Sequence, residues 1–235
     1  MKWEKVERQL LKKPTSREWT MMAIGGLIVL AVVWAISSIK HNATPLSPEA
    51  STVTSPWIPS TVKQYGKTIG EMAKKYNLDP NLIAIIITVE SGGYAKAKSE
   101  ADAAGLMQVT PPTAGDIASR YLKKPVKKYD LFDPRTNIEF GTAYLAMLRD
   151  EYGSVKQGPS WNSTVELIAA AYNGGFSAAT ALEKGEGLND TQTVVYSRDV
   201  FNMWRERHAQ KSPTFERWKE RGGIELIKKA KEAQE

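Results

Sequence analysis

The hydrophobic positions of the chain fall into blocks whose period changes along its length. Between Glu18 and Lys40 runs WTMMAIGGLIVLAVVWAISSI, residues 19–39, which is 21 positions without a charge. At a rise of about 1.5 Å per residue, a helix of that length crosses a hydrocarbon core of ~30 Å. It has no polar stripe of the kind a core helix shows, and it outruns the roughly 7–15 apolar residues of a cleaved leader. An uncleaved transmembrane helix is therefore predicted. Further on, Ile69, Met72, Ala73 and Tyr76 repeat at helical spacing. Asn77-Leu78-Asp79-Pro80 ends that helix and starts the next, with Asp79 as N-cap and Pro80 at the first helical position. The helix predicted over 80–91 is apolar nearly all round (Leu82, Ile83, Ile85, Ile86, Ile87, Val89), the pattern of an element buried on most sides. Four more helices are predicted: about 112–121 behind Pro111-Pro112, about 134–151 behind Asp133, about 163–172 stopped by Gly174-Gly175, and about 191–208. No run alternates with a period of two, although 92–108 has room for a small hairpin. The pattern predicts a mainly α fold with a single helical domain.

Composition adds the segments between these blocks. Residues 40–60 carry Pro45, Pro48, Pro56 and Pro59 among serines and threonines, which predicts an extended, hydrated spacer. The folded domain is expected over 61–208. The remainder, 209–235, is a charged tail with Ile224, Ile227 and Ala230 as a thin apolar stripe, read as a solvated helix or a frayed end.

The net charge of +6 is concentrated at the two ends. Residues 1–41 hold seven Lys/Arg against three Glu, and 205–235 hold nine against six, so the centre is close to neutral. Without a basic face there, nucleic acid is set aside as a partner. Lys2, Lys5, Arg8, Lys12, Lys13 and Arg17 precede the apolar span and only Lys40 follows closely. That bias assigns 1–18 to the cytoplasm and everything after Lys40 to the outside. There is no cysteine, and the two histidines, His41 and His208, are far apart in sequence. Thiolate chemistry and a Cys-based metal site are excluded, and a histidine triad or a histidine metal cluster is disfavoured.

The chemistry is concentrated in VESGGYAKAKSEADAAGLMQVTPPTA, residues 89–114. Glu90 closes the aliphatic helix, with Gly92-Gly93 behind it to turn the chain. An apolar surround disfavours the charged form of a carboxylic acid, and the C-terminal end of a helix acts in the same direction. Glu90 is thus a candidate general acid; the same residues also fit a plain helix-end glutamate in water.

Four motifs in order carry a resemblance. They are Glu90-Ser91 with Ser99 nine residues after the glutamate, Gly105-Leu106-Met107-Gln108 followed by Pro111-Pro112-Thr113-Ala114, Asn137-Ile138 with Gly141 and Tyr144-Leu145, and Ala171-Tyr172-Asn173-Gly174-Gly175. A closing helix, QTVVYSRDV, contains Tyr196. Over roughly 65–205 the chain resembles the soluble-lytic-transglycosylase (SLT) domain of the goose-type lysozyme-like α+β superfamily.

The resemblance implies a peptidoglycan lytic transglycosylase that needs neither metal nor cofactor. Glu90 would protonate the oxygen between N-acetylmuramic acid and N-acetylglucosamine, and then, as a base, help the sugar's own 6-hydroxyl close a 1,6-anhydro ring. Ser99 is expected to bind sugar, Gln108 to bind a sugar or the site backbone, Met107 to form pocket wall, and Tyr172 to place its hydroxyl near Glu90. Asn173 is expected to hold the Glu90 loop and Tyr196 to line the cleft or the core, while Tyr144 and Asn137 are assigned to the core. Two positions depart from the family pattern: Asp102-Ala103 stands where Gly-Ala is common, and Gln192 replaces a common glutamate. Asp102 is expected to point to solvent; facing the cleft, it would permit hydrolysis.

The expected partners are glycan strands and, through residues 19–39, the cytoplasmic membrane, with the domain in the periplasm, outside the cell, or on a virion membrane. A wall-opening role in a secretion, conjugation or phage assembly fits the same reading. The competing functions are a hydrolytic goose-type muramidase and a non-catalytic wall-binding or assembly protein.

Overall fold

The computed structural model describes residues 51–155, 162–186 and 191–235. The chain divides into two compact units, 1–45 and 46–235, and the described residues belong to the second. The expected cytoplasmic segment, the span 19–39 and the start of the spacer lie outside the described residues. Among those described, no helix is long and apolar enough to cross a membrane.

Helices α1 (Ser60–Lys63), α2 (Gly66–Tyr76) and α3 (Pro80–Ser91) come first, followed by α4 (Pro111–Asp116) and α5 (Pro134–Tyr152). After them come α6 (Thr164–Glu183), α7 (Thr191–Arg205), α8 (Pro213–Trp218) and α9 (Ile224–Glu232). Helix α3 is central. Its start is fixed by the Asp79 carboxylate, which accepts from the Asn81 amide at 2.7 Å, with Pro80 supplying a preset φ. Every residue from Pro80 to Thr88 is buried, and α1, α2, α7 and α9 all pack against the helix. Each aliphatic side chain buried this way contributes about 1.5–3 kcal/mol, so the element that carries Glu90 is firmly held. Around it, α5 packs on α2 and α6, and α6 packs along α7.

Two local expectations hold with additions and one changes. The helix after Ser163 breaks at the glycine pair as expected, with Gly175 outside helical geometry (φ 75, ψ −179); a second helical stretch then runs on to Glu183, where Ala179 and Leu182 find buried sites. A residue with a Cβ resists that positive φ, so the kink requires glycine. The hairpin within 92–108 is reduced to two isolated antiparallel bridges, Lys98 with Ala104 and Ala104 with Val109; no strand forms among the described residues. Tight turns at 99–102 and 105–108 leave too little chain between them for a ladder. The helix expected over 112–121 continues from α4 as a π-helical turn, Ile117–Tyr121.

Both flanks are more tightly packed than their composition indicates. Ser55, Trp57 and Ile58 of the expected spacer are buried. The Thr54 and Ser55 amides donate to the Asn81 side-chain oxygen at 2.8 and 3.0 Å, and the Trp57 indole donates to the Glu206 carbonyl at 3.0 Å. The hydrated spacer therefore does not extend to residue 60, because two large apolar side chains outweigh the prolines. At the other end, the thin stripe of the tail is a packing face: Phe215, Ile227 and Ala230 are buried. Gly92, at φ 61, lets α9 lie directly on the end of α3, since a Cβ there would come within 2.7 Å of the Ile227 nitrogen.

Candidate active site

The end of α3 is tied to the loop that follows it. The Ser91 hydroxyl donates to the Leu106 carbonyl at 2.7 Å, which locks Gly105-Leu106 beneath Glu90. From the other side, the Asn137 side chain accepts from the Met107 amide at 2.7 Å and donates to the Ala104 and Leu131 carbonyls. Asn137 is fully buried, so as expected it serves the core; its task there is to satisfy a loop that has no ladder of its own.

These ties shape a cleft of about 470 Å³. Glu90, Ser99, Gln108, Tyr144, Tyr172 and Asn173 face it, together with Gln192 and Gly175. Among the described residues lining the cleft, Glu90 is the one carboxylate. It keeps a partly exposed face, yet burial of its carboxyl pushes the pKa from an ordinary 4.5 up to about 7. The opposing influence is Tyr196, whose hydroxyl donates to Glu90 Oε1 at 2.6 Å and favours the ionised form. A group with a pKa near 7 is available as both acid and base at neutral pH, as proton transfer in both directions requires.

The residues predicted from sequence are brought together, but not all in the expected roles. The hydroxyl on Glu90 belongs to Tyr196; Tyr172 instead donates to the Met107 carbonyl at 2.8 Å. Tyr172 still lies close enough that the Glu90 charge, after burial, raises its phenol well above the ordinary range. Met107 is not pocket wall: it is fully buried against Gly141, and only its backbone serves the site. Tyr144, assigned to the core, reaches the cleft and packs against the Tyr172 ring with centroids 5.2 Å apart and planes tilted by 40°. Its position one helical turn after Gly141 was the available signal, because that glycine seats Met107 and sets the depth of α5.

Ser99 lines the cleft while its oxygen accepts from the Ala103 amide at 3.1 Å, leaving the hydroxyl hydrogen available. Gln108, at φ 47, spends its amide nitrogen on the Gly105 and Ala97 carbonyls at 2.9 and 3.3 Å. Asn173 does not hold the Glu90 loop; its oxygen accepts from Thr193 at 3.0 Å and joins α6 to α7. Asp102 points outward, with an exposed side chain paired to Lys98 at 2.9 Å.

A family profile described as the transglycosylase SLT domain matches residues 67–194, more than half of the chain. The chain belongs to the SLT domain family. The chain is 37% identical over 142 residues to membrane-bound lytic murein transglycosylase E of Buchnera aphidicola, a match covering 59% of this chain and 63% of that protein. It is 43% identical over 119 residues to membrane-bound lytic murein transglycosylase C of Actinobacillus pleuropneumoniae, covering 49% of this chain and 32% of that protein. The chain thus spans less than two thirds of either relative. Among solved structures, an inactive mutant of the lytic transglycosylase Slt of Pseudomonas aeruginosa aligns with a TM-score of 0.50 at 22% identity, over 63% of this chain and 25% of that one. That likeness concerns the fold, and it agrees with a mainly helical SLT domain.

Proposed function

We propose that the protein is a lytic transglycosylase that cleaves the β-1,4 bond between N-acetylmuramic acid and N-acetylglucosamine in peptidoglycan. The observation that carries this reading is the setting of Glu90, an acid with a pKa near 7 and a Tyr196 hydroxyl on it, as the single carboxylate among the described cleft residues. Protonated Glu90 gives its proton to the glycosidic oxygen as the C1–oxygen bond breaks, and the acetamido group of the muramoyl sugar stabilises the charge at C1. Ionised Glu90 then takes the proton of that sugar's 6-hydroxyl, whose oxygen bonds to C1 and closes the anhydro ring. The carboxylate is returned to its acid form.

Hydrolysis usually requires a second carboxylate about 5–9.5 Å from the acid. The outward, lysine-paired Asp102 gives no support to that role. Ser99 and Tyr144 are positioned to hold sugar, while Gln108, Tyr172 and Asn173 maintain the walls. Digestion of peptidoglycan in ¹⁸O-labelled water tests the reaction: unlabelled anhydromuramoyl ends are expected, and label in most new ends refutes it.

The span 19–39 anchors this enzyme in the cytoplasmic membrane, with its N-terminus inside and the SLT domain on the peptidoglycan side. The length of the span, its basic flank and the membrane-bound relatives support that placement. N-terminal sequencing of membrane-extracted protein is expected to find residues before 40; a mature chain beginning near Ala43 refutes the anchor.

A further inference from the structure

The bond from Tyr196 to Glu90 depends on where α7 lies. A hydroxyl held at 2.6 Å no longer makes a hydrogen bond once its helix has slid or turned by about 1 Å. The buried stripe of α7 is Thr193, Ser197, Val200 and Trp204. Tyr196 and Asp199 lie beside that stripe, half-buried and one turn apart on the same face. This face borders a cavity of about 460 Å³, which Val89 of α3 and Trp218 and Arg221 of the C-terminal segment also line. A cavity offers α7 fewer packing atoms on that side than a close-packed stripe does. A direct tie serves there instead: the Arg221 guanidinium donates to the carboxylate of Asp199, whose side chain is only 13% exposed.

Arg221 is itself anchored. Trp218 stacks on Phe215 with ring centroids 5.7 Å apart and planes 19° from parallel, and Phe215 packs on Trp57 at 5.5 Å. A Cβ on Gly223 would come within 2.4 Å of the Trp218 ring, so residues 219–222 turn closely around the indole. The helical backbone breaks at Arg221 and at Gly222, whose φ is 108, and the break brings the guanidinium to α7. Tyr196, Asp199, Trp218 and Arg221 all lie beyond residue 194, where the match to the family profile ends.

The charges explain why the tie matters. Burial raises the Asp199 carboxyl above its ordinary 3.8, while Arg221 and then Arg217 favour its ionised form and Glu206 opposes it. A half-buried carboxylate that loses its cation gains by reaching water, and the helix that carries it moves with it. The titratable groups that interact with Glu90 are Tyr196 of α7 and Tyr172 of α6; among the described residues, α1, α2 and α9 contribute no charge to its pKa.

We propose that Arg221 and Asp199 are positioning residues for the reaction: their pair holds α7 where the Tyr196 hydroxyl stays on Glu90. The proposal rests on the reading of Glu90 as the acid of a peptidoglycan-cleaving enzyme. It makes the C-terminal segment part of the control of that acid.

The titration of the Glu90 carboxyl in the 235-residue chain is read by ¹³C NMR with labelled glutamate, the Glu90→Gln chain identifying its signal. Arg221→Met and, separately, Asp199→Ala are expected to move the midpoint up by as much as about one pH unit, because the bond that favours the ionised form is lost. In a chain already carrying Tyr196→Phe, neither substitution should move it further. Asp199→Ala separates the tie from a direct effect of charge, since removing a nearby negative charge lowers a carboxyl pKa. Thermal melts establish that each variant is folded; alanine suits a helical site, so Asp199→Ala does not depend on C-terminal packing. An unmoved midpoint in both folded variants overturns the proposal, and so does a shift that persists beside Tyr196→Phe. Cleavage of peptidoglycan is measured in parallel, and the alkaline limb of kcat/KM should follow the midpoint. A shift that requires Tyr196, without cleavage by the unmodified chain, upholds the tie and refutes the enzymatic reading. Cleavage with an unmoved midpoint does the reverse.

Discussion

Replacing Glu90 by Gln should remove activity and, above about pH 5, make the protein more stable. The amide keeps the shape of the side chain and can still accept the Tyr196 hydroxyl, but it carries no charge to bury. In the wild type, the folded pKa of Glu90 is raised from 4.5 to about 7 by burial. A raised pKa means that the folded state binds the proton more tightly than the unfolded chain. The stabilising contribution is therefore complete below pH 4.5 and is lost progressively as pH rises through 7. A full shift of this size corresponds to at most about 3 kcal/mol. Glu90 keeps a face open to the cleft, so solvent screening reduces the expected cost to about 1–2 kcal/mol. At roughly 2–4 °C per kcal/mol for a domain of this size, the variant should melt several degrees higher at pH 8 and level with the wild type near pH 4. Thermal melts of both proteins by circular dichroism at half-unit pH steps provide the assay. A melting difference that does not change with pH, or a variant less stable throughout, would refute the buried-acid reasoning. Activity is expected to fall at least ~10²–10⁴-fold, because one group serves as both acid and base.

Tyr196→Phe removes the hydrogen bond that favours ionised Glu90. Bonds to charged groups are worth about 1.5–3 kcal/mol, so the alkaline limb of kcat/KM, where the acid form is lost, should move up by about one pH unit; an unmoved limb would return Tyr196 to a packing role. Tyr172→Phe strips the Met107 carbonyl of its partner and should cost about 1 kcal/mol of stability with that limb unshifted; denaturant melts paired with pH–rate profiles separate the two tyrosines. Ile227→Asp places a charge beneath the end of α3, and lifting α9 should lower both the melting temperature and the turnover. A soluble variant with wild-type turnover and stability would show that α9 does not support the site.

Local chemistry was legible in the sequence where it depends on near neighbours. The cap at Asp79 and the burial of α3 follow from short-range pattern, the outward position of Asp102 was implied by the family resemblance, and the structure has all three. What depends on how helices cross was not legible. Tyr172 and Tyr196 belong to different helices that both border the cleft, and only the seating of α7 against α3 decides which hydroxyl meets Glu90. The motif position of Met107 indicated a wall, but Gly141 opens a slot that draws the side chain inward. The tail looked solvated because Ile227 and Ala230 are few among charges; its partner surface is the glycine-bared end of α3, which has no side chain to announce it.

The contact between Gly92 and α9 also governs when the site can exist. A chain leaving the ribosome presents Glu90 well before Ile227, which lies 137 residues further along. Until Ile227 emerges, the end of α3 lacks its cover. Closing so long a loop is a late and slow step in folding. Chains that stop short of α9 accordingly carry Glu90 without the completed surface around it. Under the proposed function, this order of assembly keeps the wall-cutting site incomplete until the helices after residue 213 are in place.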